Sequence, residues 1–151
     1  MFCKTRKTMK SFLLNREGKP ILKWGMIPPN IFYEGAVPEN YFLAVCPGEY
    51  IVLDIDNKPD KENGLKNIPS ELQVELFKVH FHYPSKSGYH VWLKYTGNKE
   101  LLNRATSHSL DLRVGYKGYV KWYLDKDIRS CTHLIKESTP KLNEWLEKLF
   151  S

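Results

Sequence analysis

Three aspartates stand in segments that otherwise have the composition of β-strands. Asp54 and Asp56 end an apolar run that begins at residue 50, and Asp111 follows Leu110 in a second run. Strands disfavour aspartate, so three of them in such segments indicate a compensating function. Carboxylates at positions i and i+2 of a strand share one face, with Cα atoms about 7 Å apart, and can converge on one cation. An oxygen-rich set of this kind favours Mg²⁺ or Mn²⁺, the usual ions of phosphoryl and nucleotidyl transfer.

Side-chain alternation predicts that other polar groups share a face with these acids. Successive residues of a strand point to opposite faces, and residues 51–56, 89–95 and 110–114 each have one apolar set and one mixed set. The apolar sets predict a continuous core on one side of a sheet. An ordinary solvated strand face is the alternative interpretation of the mixed sets. They comprise Asp54, Asp56, His90, Trp92, Lys94, Asp111 and Arg113.

Turn residues and helix caps predict the elements that carry these groups. Residues 12–38 are rich in Gly and Pro and favour short strands and turns. We expect helices from residue 70, with Ser70 as N-cap, from Asn98 to about residue 107, and from Pro140 to about residue 150. Further strands are expected at residues 41–45, 50–56, 80–83, 89–95, 110–114 and 118–123, with the first two joined as a hairpin and the last two paired.

The predicted fold class is α+β. From residue 50 onward the expected order is β-α-β-β-α-β, that of a ferredoxin-like or RRM-like module, with a small N-terminal αβ extension before it and a C-terminal helix after it. A chain of 151 residues is one domain's worth. We divide it into a catalytic unit at about residues 12–123, a C-terminal helix at about residues 139–150, and a basic arm at residues 1–11 that holds Lys4, Arg6, Lys7 and Lys10.

Composition indicates which partners and which cellular compartment to expect. The formal net charge of +6, from 23 Lys or Arg and 17 Asp or Glu, is compatible with a nucleic-acid partner. Three scattered cysteines form no disulfide framework and suit a reducing compartment, for which we expect the cytoplasm. The longest apolar run, residues 41–46, is too short to span a membrane, and the first residues start no secretory signal.

Three motifs, taken in order, resemble those of the archaeo-eukaryotic primase superfamily. Residues 52–56, with the sequence VLDID, resemble its hydrophobic-Asp-x-Asp motif. Gly88-Tyr89-His90 is similar to its small-x-His motif, and Leu110-Asp111 to its hydrophobic-Asp motif. The primase-polymerase (prim-pol) domains of phages, plasmids and other mobile elements are the members that the chain resembles most.

Two further segments belong to this resemblance, which covers about residues 16–123. Gly18-Lys19-Pro20 followed by Trp24 is similar to a segment near the start of many members. Asp111-Leu112-Arg113 followed by the glycine-bounded turn at residues 115–118 resembles another.

The resemblance implies template-directed nucleotidyl transfer, as in a DNA primase or DNA polymerase, from a nucleoside triphosphate and with two Mg²⁺ or Mn²⁺ ions. It implies that Asp54, Asp56 and Asp111 bind the metal ions. His90 would contact the phosphates of the incoming nucleotide. The implied partners are a DNA template and primer. No helicase, zinc module or separate priming domain is evident, so a helicase or single-strand-binding protein would be another chain.

Four neighbouring residues are candidates for nucleotide binding. Ser87 and Gly88 form the turn beside His90, and the missing side chain of Gly88 lets a backbone approach closely. Arg113 suits a triphosphate and suits a salt bridge to Asp111 equally well. Lys86 stands where many members have a small residue and could add a phosphate contact or be merely exposed.

Two other functions compete with this interpretation. His80-Phe81-His82 resembles the His-hydrophobe-His metal motif of rolling-circle replication endonucleases, and Tyr123-Leu124-Asp125-Lys126 resembles their Tyr-x-x-Lys motif. Residues 116–123 interleave aromatic residues with Lys and would also suit a non-catalytic module that binds single-stranded nucleic acid. Packing of these aromatics in the core is the plainer alternative. Cys131-Thr132-His133 is a metal-like fragment for which we expect a structural role.

Overall fold

The structure, a computed structural model, describes residues 9–23, 26–58 and 63–151. Trp24 and the basic residues at positions 4, 6 and 7, to which the sequence assigned roles, lie outside these ranges. The described strands are β1 (Ser11–Leu14), β2 (Phe42–Val45), β3 (Gly48–Asp56), β4 (Phe81–Pro84), β5 (Gly88–Leu93), β6 (Arg104–Ala105), β7 (Leu110–Gly115) and β8 (Val120–Lys121). The α-helices are α1 (Ser70–Val79) and α2 (Pro140–Phe150).

The strands form two antiparallel sheets. The larger sheet has the order β4-β5-β3-β7-β6, so β3 is its central strand and is hydrogen-bonded along both edges. The smaller sheet has the order β1-β2-β8. The predicted N-terminal αβ extension is wrong in its helix, because the described residues before β3 form the strands β1 and β2 and no α-helix. The structure is therefore α+β, as the sequence predicts.

One face of the larger sheet packs against both helices. The odd-numbered side chains of β3 from Ile51 onward, the odd-numbered ones of β5 and the even-numbered ones of β7 pack there, as strand alternation predicts. Leu72 and Leu76 of α1 and Leu142, Leu146 and Phe150 of α2 complete this core. The helix face thus supplies the hydrophobic stabilisation that holds the central strands in place.

The opposite face of the larger sheet is half covered. Val52 of β3 and Trp92 of β5 are fully buried beneath residues of the smaller sheet and of the chain after it, which include Val45, Val120, Ile128, Cys131 and Ile135. On this face the next residues of β3, Asp54 and Asp56, are only partly buried. This second core leaves one end of the face open, where the predicted polar groups lie.

The helix predicted from Asn98 to about residue 107 does not form, so the expected β-α-β-β-α-β order is wrong at its second helix. Leu101 is instead buried against the helix-face core, and the Leu102 amide donates to the Phe150 carbonyl at the end of α2. Arg104–Ala105 then pairs with β7 as β6. Tertiary contacts thus override a local helix propensity.

The two predicted strand pairs are also wrong. β2 and β3 do not form a hairpin, because β1 and β8 occupy the two edges of β2 while β5 and β7 occupy those of β3. β7 and β8 do not pair for the same reason, since β3 and β6 flank β7. Other strands thus occupy both edges of β2, β3 and β7.

The structure corrects two further local assignments and confirms one. Pro69 is the N-cap of α1 and Ser70 its first residue, with no capping side-chain hydrogen bond. Lys10, assigned to a surface arm, is buried and donates to the Tyr116 carbonyl at 3.1 Å. α2 begins at Pro140, as predicted, and the Thr139 hydroxyl caps it by accepting from the Leu142 amide.

Gly88 is required by the pairing of β3 with β5. A Cβ at this position would lie 1.8 Å from the Ile55 carbonyl oxygen. We predict that Gly88→Ala lowers the free energy of unfolding by about 3 kcal/mol or more, because the strand backbones must separate. Urea titration followed by circular dichroism measures this change.

Gly115→Ala is the matched control for that substitution. Gly115 has a positive φ of 68° but no atom within 4 Å of its ideal Cβ, so we expect a smaller loss of about 1–2 kcal/mol from backbone strain alone. Equal losses in the two variants would contradict the close approach at Gly88.

Candidate active site

The candidate site is a row of side chains that crosses the open end of the larger sheet. Asp54 of β3 is the direct cross-strand partner of His90 on β5 and of Asp111 on β7. His90 is in turn opposite Tyr83 on β4. Directly opposite residues have Cβ atoms about 5 Å apart, so these four side chains are immediate neighbours on one face. The shared face that alternation predicts for Asp54, His90 and Asp111 is thus present.

Hydrogen bonds fix the orientation of the His90 imidazole. The indole nitrogen of Trp92 donates to the Tyr83 hydroxyl at 3.0 Å, and that hydroxyl lies 3.2 Å from His90 Nδ1. Because the hydroxyl accepts from Trp92, its own proton is free for Nδ1. We therefore assign the His90 proton to Nε2, which lies 3.5 Å from Asp54 Oδ1. Burial, and secondarily the charge of Arg113, lower the pKa of His90 to about 4, so the ring is neutral near pH 7.

Asp54 is the electrostatic centre of the row. Burial, and secondarily the carboxylate of Asp111, raise the pKa of Asp54 from 3.8 to about 6, while Arg113 acts in the opposite direction. Burial also raises the pKa of Asp111, with Arg113 again opposing the shift. Both shifts mean that the folded protein disfavours the negative charge concentrated here. A cation bound at this face would relieve that cost.

Asp56 lies two residues beyond Asp54 on the same face, at the end of β3. The Ser87 hydroxyl donates to its Oδ1 at 2.7 Å, and Lys58 Nζ lies 3.5 Å from its Oδ2. Ser87, predicted to bind nucleotide, therefore positions a carboxylate in this structure. It also joins the turn between β4 and β5 to the end of β3.

Arg113 lies on the same strand and the same face as Asp111. Its NH2 nitrogen is 3.6 Å from Asp111 Oδ2, and its NH1 nitrogen donates to the Leu112 carbonyl at 3.2 Å. The salt bridge that the sequence left open is thus present, but its length exceeds that of a normal charge-assisted hydrogen bond. Arg113 retains donors that can turn to an anion.

The turn before β5 and one tyrosine border the row. Lys86 is exposed in this turn, and Gly88 contacts the Ile55 backbone. The Tyr123 ring packs edge-on against His90 with ring centroids 5.7 Å apart. Burial raises the pKa of Tyr123, and the nearby backbone of Lys86 lowers it by less. Tyr123 thus closes one side of the site, a position that the alternation of β3, β5 and β7 could not indicate.

The three aspartates have the donor chemistry of a Mg²⁺ or Mn²⁺ site, since all are carboxylates on neighbouring strand positions of one face. Across the described residues, however, no three His, Cys, Asp or Glu side chains are grouped so that one ion would contact them all. Asp56 and Asp111 instead contact Lys58 and Arg113. The donors therefore suit a divalent cation by their chemistry, while in this structure two of the three acids lie beside cations of the chain itself.

The residues of the endonuclease interpretation lie on different faces of the sheet. His82 is opposite Val91 and packs against Phe77 of α1, on the helix face. His80 is buried, and its Nε2 lies 2.7 Å from Glu75 of α1. Tyr123 contacts His90 on the other face. The structure does not bring this histidine pair and Tyr123 together.

The aromatic residues proposed for base stacking are largely packed. Trp122 contacts Trp92, Phe81 and Tyr83, and Tyr119 packs edge-on against Phe12. Cys131, in the metal-like fragment, is buried in the same core as Val52 and Trp92. Cys46 is a second buried free thiol.

Sequence reasoning missed Tyr83 and Lys58 as parts of the site. The Tyr83 hydroxyl orients His90, and Lys58 contacts Asp56. Alternation within β4 could have placed Tyr83 on the right face, but only the pairing of β4 with β5 puts it opposite His90.

Comparison with known proteins finds no matching family model, no matching curated protein and no matching solved structure. No helix among the described residues is long and apolar enough to cross a membrane.

The raised pKa of Asp54 predicts a pH-dependent gain of stability in Asp54→Asn. Between about pH 4 and pH 6 the folded wild type binds more protons than the unfolded chain, so this group lowers stability progressively as the pH rises. The uncharged amide escapes this cost. Because the side chain is 31% exposed, we discount the shift and expect a gain of about 1–2 kcal/mol at pH 7.5.

Urea titrations at pH 4 and pH 7.5, with EDTA present, measure this gain. We expect the gain in Asp54→Asn to be small at the lower pH and full at the higher one. The exposed Asp125→Asn is the control and should follow the wild type at both. A destabilised Asp54→Asn at pH 7.5 would show that the carboxylate stabilises the fold instead.

Proposed function

We propose that the protein catalyses template-directed nucleotidyl transfer, as a DNA primase or polymerase of the prim-pol type. The observation that carries the proposal is the register that sets Asp54 beside both Asp111 and His90. Burial, and secondarily the neighbouring carboxylates, raise the pKa of Asp54 and of Asp111, so these charges are costly for the fold, and such costs are typical of functional sites. The motifs that resemble the prim-pol family contain these same three residues.

The acidic and the neutral side chains of the site would have different roles. Asp54, Asp56 and Asp111 would hold two Mg²⁺ or Mn²⁺ ions. When bound, such ions polarise phosphoryl oxygens and lower the pKa of an attacking hydroxyl. Neutral His90 would donate from Nε2 to a phosphate oxygen, since the Tyr83 hydroxyl occupies its other nitrogen.

Lys58 and Arg113 would change partners when the site is occupied. Their nitrogens lie 3.5 and 3.6 Å from Asp56 and Asp111, longer than a normal hydrogen bond. Cations bound by the aspartates would free both side chains to contact the triphosphate. Ser87 would keep Asp56 in place through its 2.7 Å hydrogen bond.

The fold and partners form part of the proposal. The four strands β3, β4, β5 and β7, with α1 between β3 and β4, favour a variant of the RRM-like module in which α2 packs on the helix face in place of the missing helix. DNA template, primer and nucleoside triphosphate would be the substrates. A helicase or single-strand-binding protein would be a separate partner, and the cytoplasm the compartment.

We predict that the wild type extends a labelled DNA primer on a longer template in the presence of Mn²⁺ and either deoxynucleoside or ribonucleoside triphosphates. Asp54→Asn and Asp111→Asn should each lower the rate about a hundredfold or more, because each removes a charge that holds the metal. The reaction is followed by denaturing gel electrophoresis. Asp125→Asn is the matched control and should keep the wild-type rate.

Full extension by either site variant would overturn the assignment. The same preparations also test the endonuclease alternative, with a supercoiled or single-stranded DNA substrate. We expect no covalent protein–DNA product from the wild type, and therefore no effect of Tyr123→Phe on one. A covalent adduct that disappears in Tyr123→Phe would favour the endonuclease.

A further inference from the structure

A cleft with only positive ionisable charge opens beside the edge strand β6. It has a volume of about 360 Å³ and is lined by Arg104 of β6, Arg113 of β7 and Lys117, together with Asn103 and Tyr119. Its lining includes no aspartate or glutamate. Arg113 connects it to the candidate active site, because the same side chain contacts Asp111.

The positive charge of the cleft is largely uncompensated. Within the described ranges, neither Arg104 nor Lys117 has a carboxylate oxygen within 4 Å, whereas Lys141 and Lys148 on α2 each do. The three cations share one concave surface, where low-dielectric walls concentrate the positive potential. Such an arrangement is unfavourable in isolation and attracts an anion.

Hydrogen bonds between the Asn103 side chain and the backbone of β7 fix the walls of the cleft. The Asn103 side chain accepts from the Val114 amide at 2.7 Å and donates to the Val114 carbonyl at 3.1 Å. A Cβ at Gly118 would lie 2.1 Å from Asn103 Oδ1, so this glycine allows the turn to close on the asparagine. The segment that carries Arg104 is thereby tied to β7 before any ligand binds.

The larger cavity of the protein is less suited to an anion. It has a volume of about 820 Å³ and lies between residues 32–43 and 122–129. Its lining contains Glu34, Asp125 and Asp127 against Lys126 and Arg129. Arg129 is already paired with Asp127 at 2.7 Å. Acids outnumber bases there, so the smaller cleft is the better candidate.

We propose that the cleft formed by Arg104, Arg113 and Lys117 binds phosphate groups, either of a polynucleotide backbone or of a nucleoside triphosphate. Guanidinium groups suit phosphate oxygens because they donate two parallel hydrogen bonds, and the ammonium group adds a point charge. The inference goes beyond the proposed reaction, since binding at this edge requires neither metal nor chemistry at the aspartates.

The test compares two doubly substituted proteins that lose the same charge. Arg104→Gln/Lys117→Gln removes two cations from the cleft, and Arg16→Gln/Lys78→Gln removes two exposed cations elsewhere. Arg113 is left intact because it also contacts Asp111. Binding of a fluorescein-labelled single-stranded oligonucleotide is measured by anisotropy, and binding of ATP by calorimetry, both in EDTA. Circular dichroism checks that both variants are folded.

We expect the cleft variant to bind at least one probe about tenfold more weakly than the control variant. Loss of oligonucleotide affinity, with a salt dependence shallower by about 1.4 in the logarithmic slope, supports a polynucleotide backbone. Loss confined to ATP supports a nucleotide. Equal affinities of the two variants for both probes would overturn the proposal. Because no extension is measured, this outcome is independent of whether the aspartates are catalytic.

Discussion

The pairing of β3 along both of its edges is the constraint on which the candidate site depends. β3 holds Asp54 between His90 and Asp111 only in the observed register with β5 and β7. A slip of one residue would turn Leu53 to the open face and send a carboxylate into the helix-face core. The burial of the odd-numbered side chains of β3 therefore fixes the position of the acids, and the hydrophobic effect is what sets the geometry of the polar groups.

Burial by the aromatic cluster beside the site shifts the pKa values of His90 and Asp54. Trp92 and Tyr83 are buried under Trp122 and the chain that follows β8, so one side of His90 has no access to water. This burial keeps the imidazole neutral and disfavours the charge of Asp54. The neighbouring carboxylates of Asp54, Asp56 and Asp111 remain partly exposed. The candidate site thus combines buried aromatic side chains, which orient the imidazole, with carboxylates that are partly exposed.

The parts of this arrangement that follow from local periodicity could be predicted from the sequence. Alternation alone placed Asp54, His90 and Asp111 on one face, and the Thr139-Pro140 pair marked the start of α2. Pairing between strands could not be predicted in this way, because β1 and β8 lie far from β2 in the sequence and β3 lies far from β7. Residues 98–107 have the composition of a helix, yet contacts with α2 and β7 hold them extended. The cleft beside β6 could not be predicted from the local sequence either, because its lining residues meet only when β6 pairs with β7.

Gly64 and Gly88 pack against the backbone at the end of β3, where Asp56 lies. An ideal Cβ on Gly64 would come within 2.3 Å of the Ser109 carbonyl oxygen, and one on Gly88 within 1.8 Å of that of Ile55. Every single-base change in a glycine codon that alters the amino acid introduces a Cβ or a stop. At these two positions, every single-base change that alters the amino acid is therefore expected to disturb the backbone packing. We therefore expect the strand end that carries Asp56 to vary less among related sequences than the exposed positions beside it, Lys58 and Lys86.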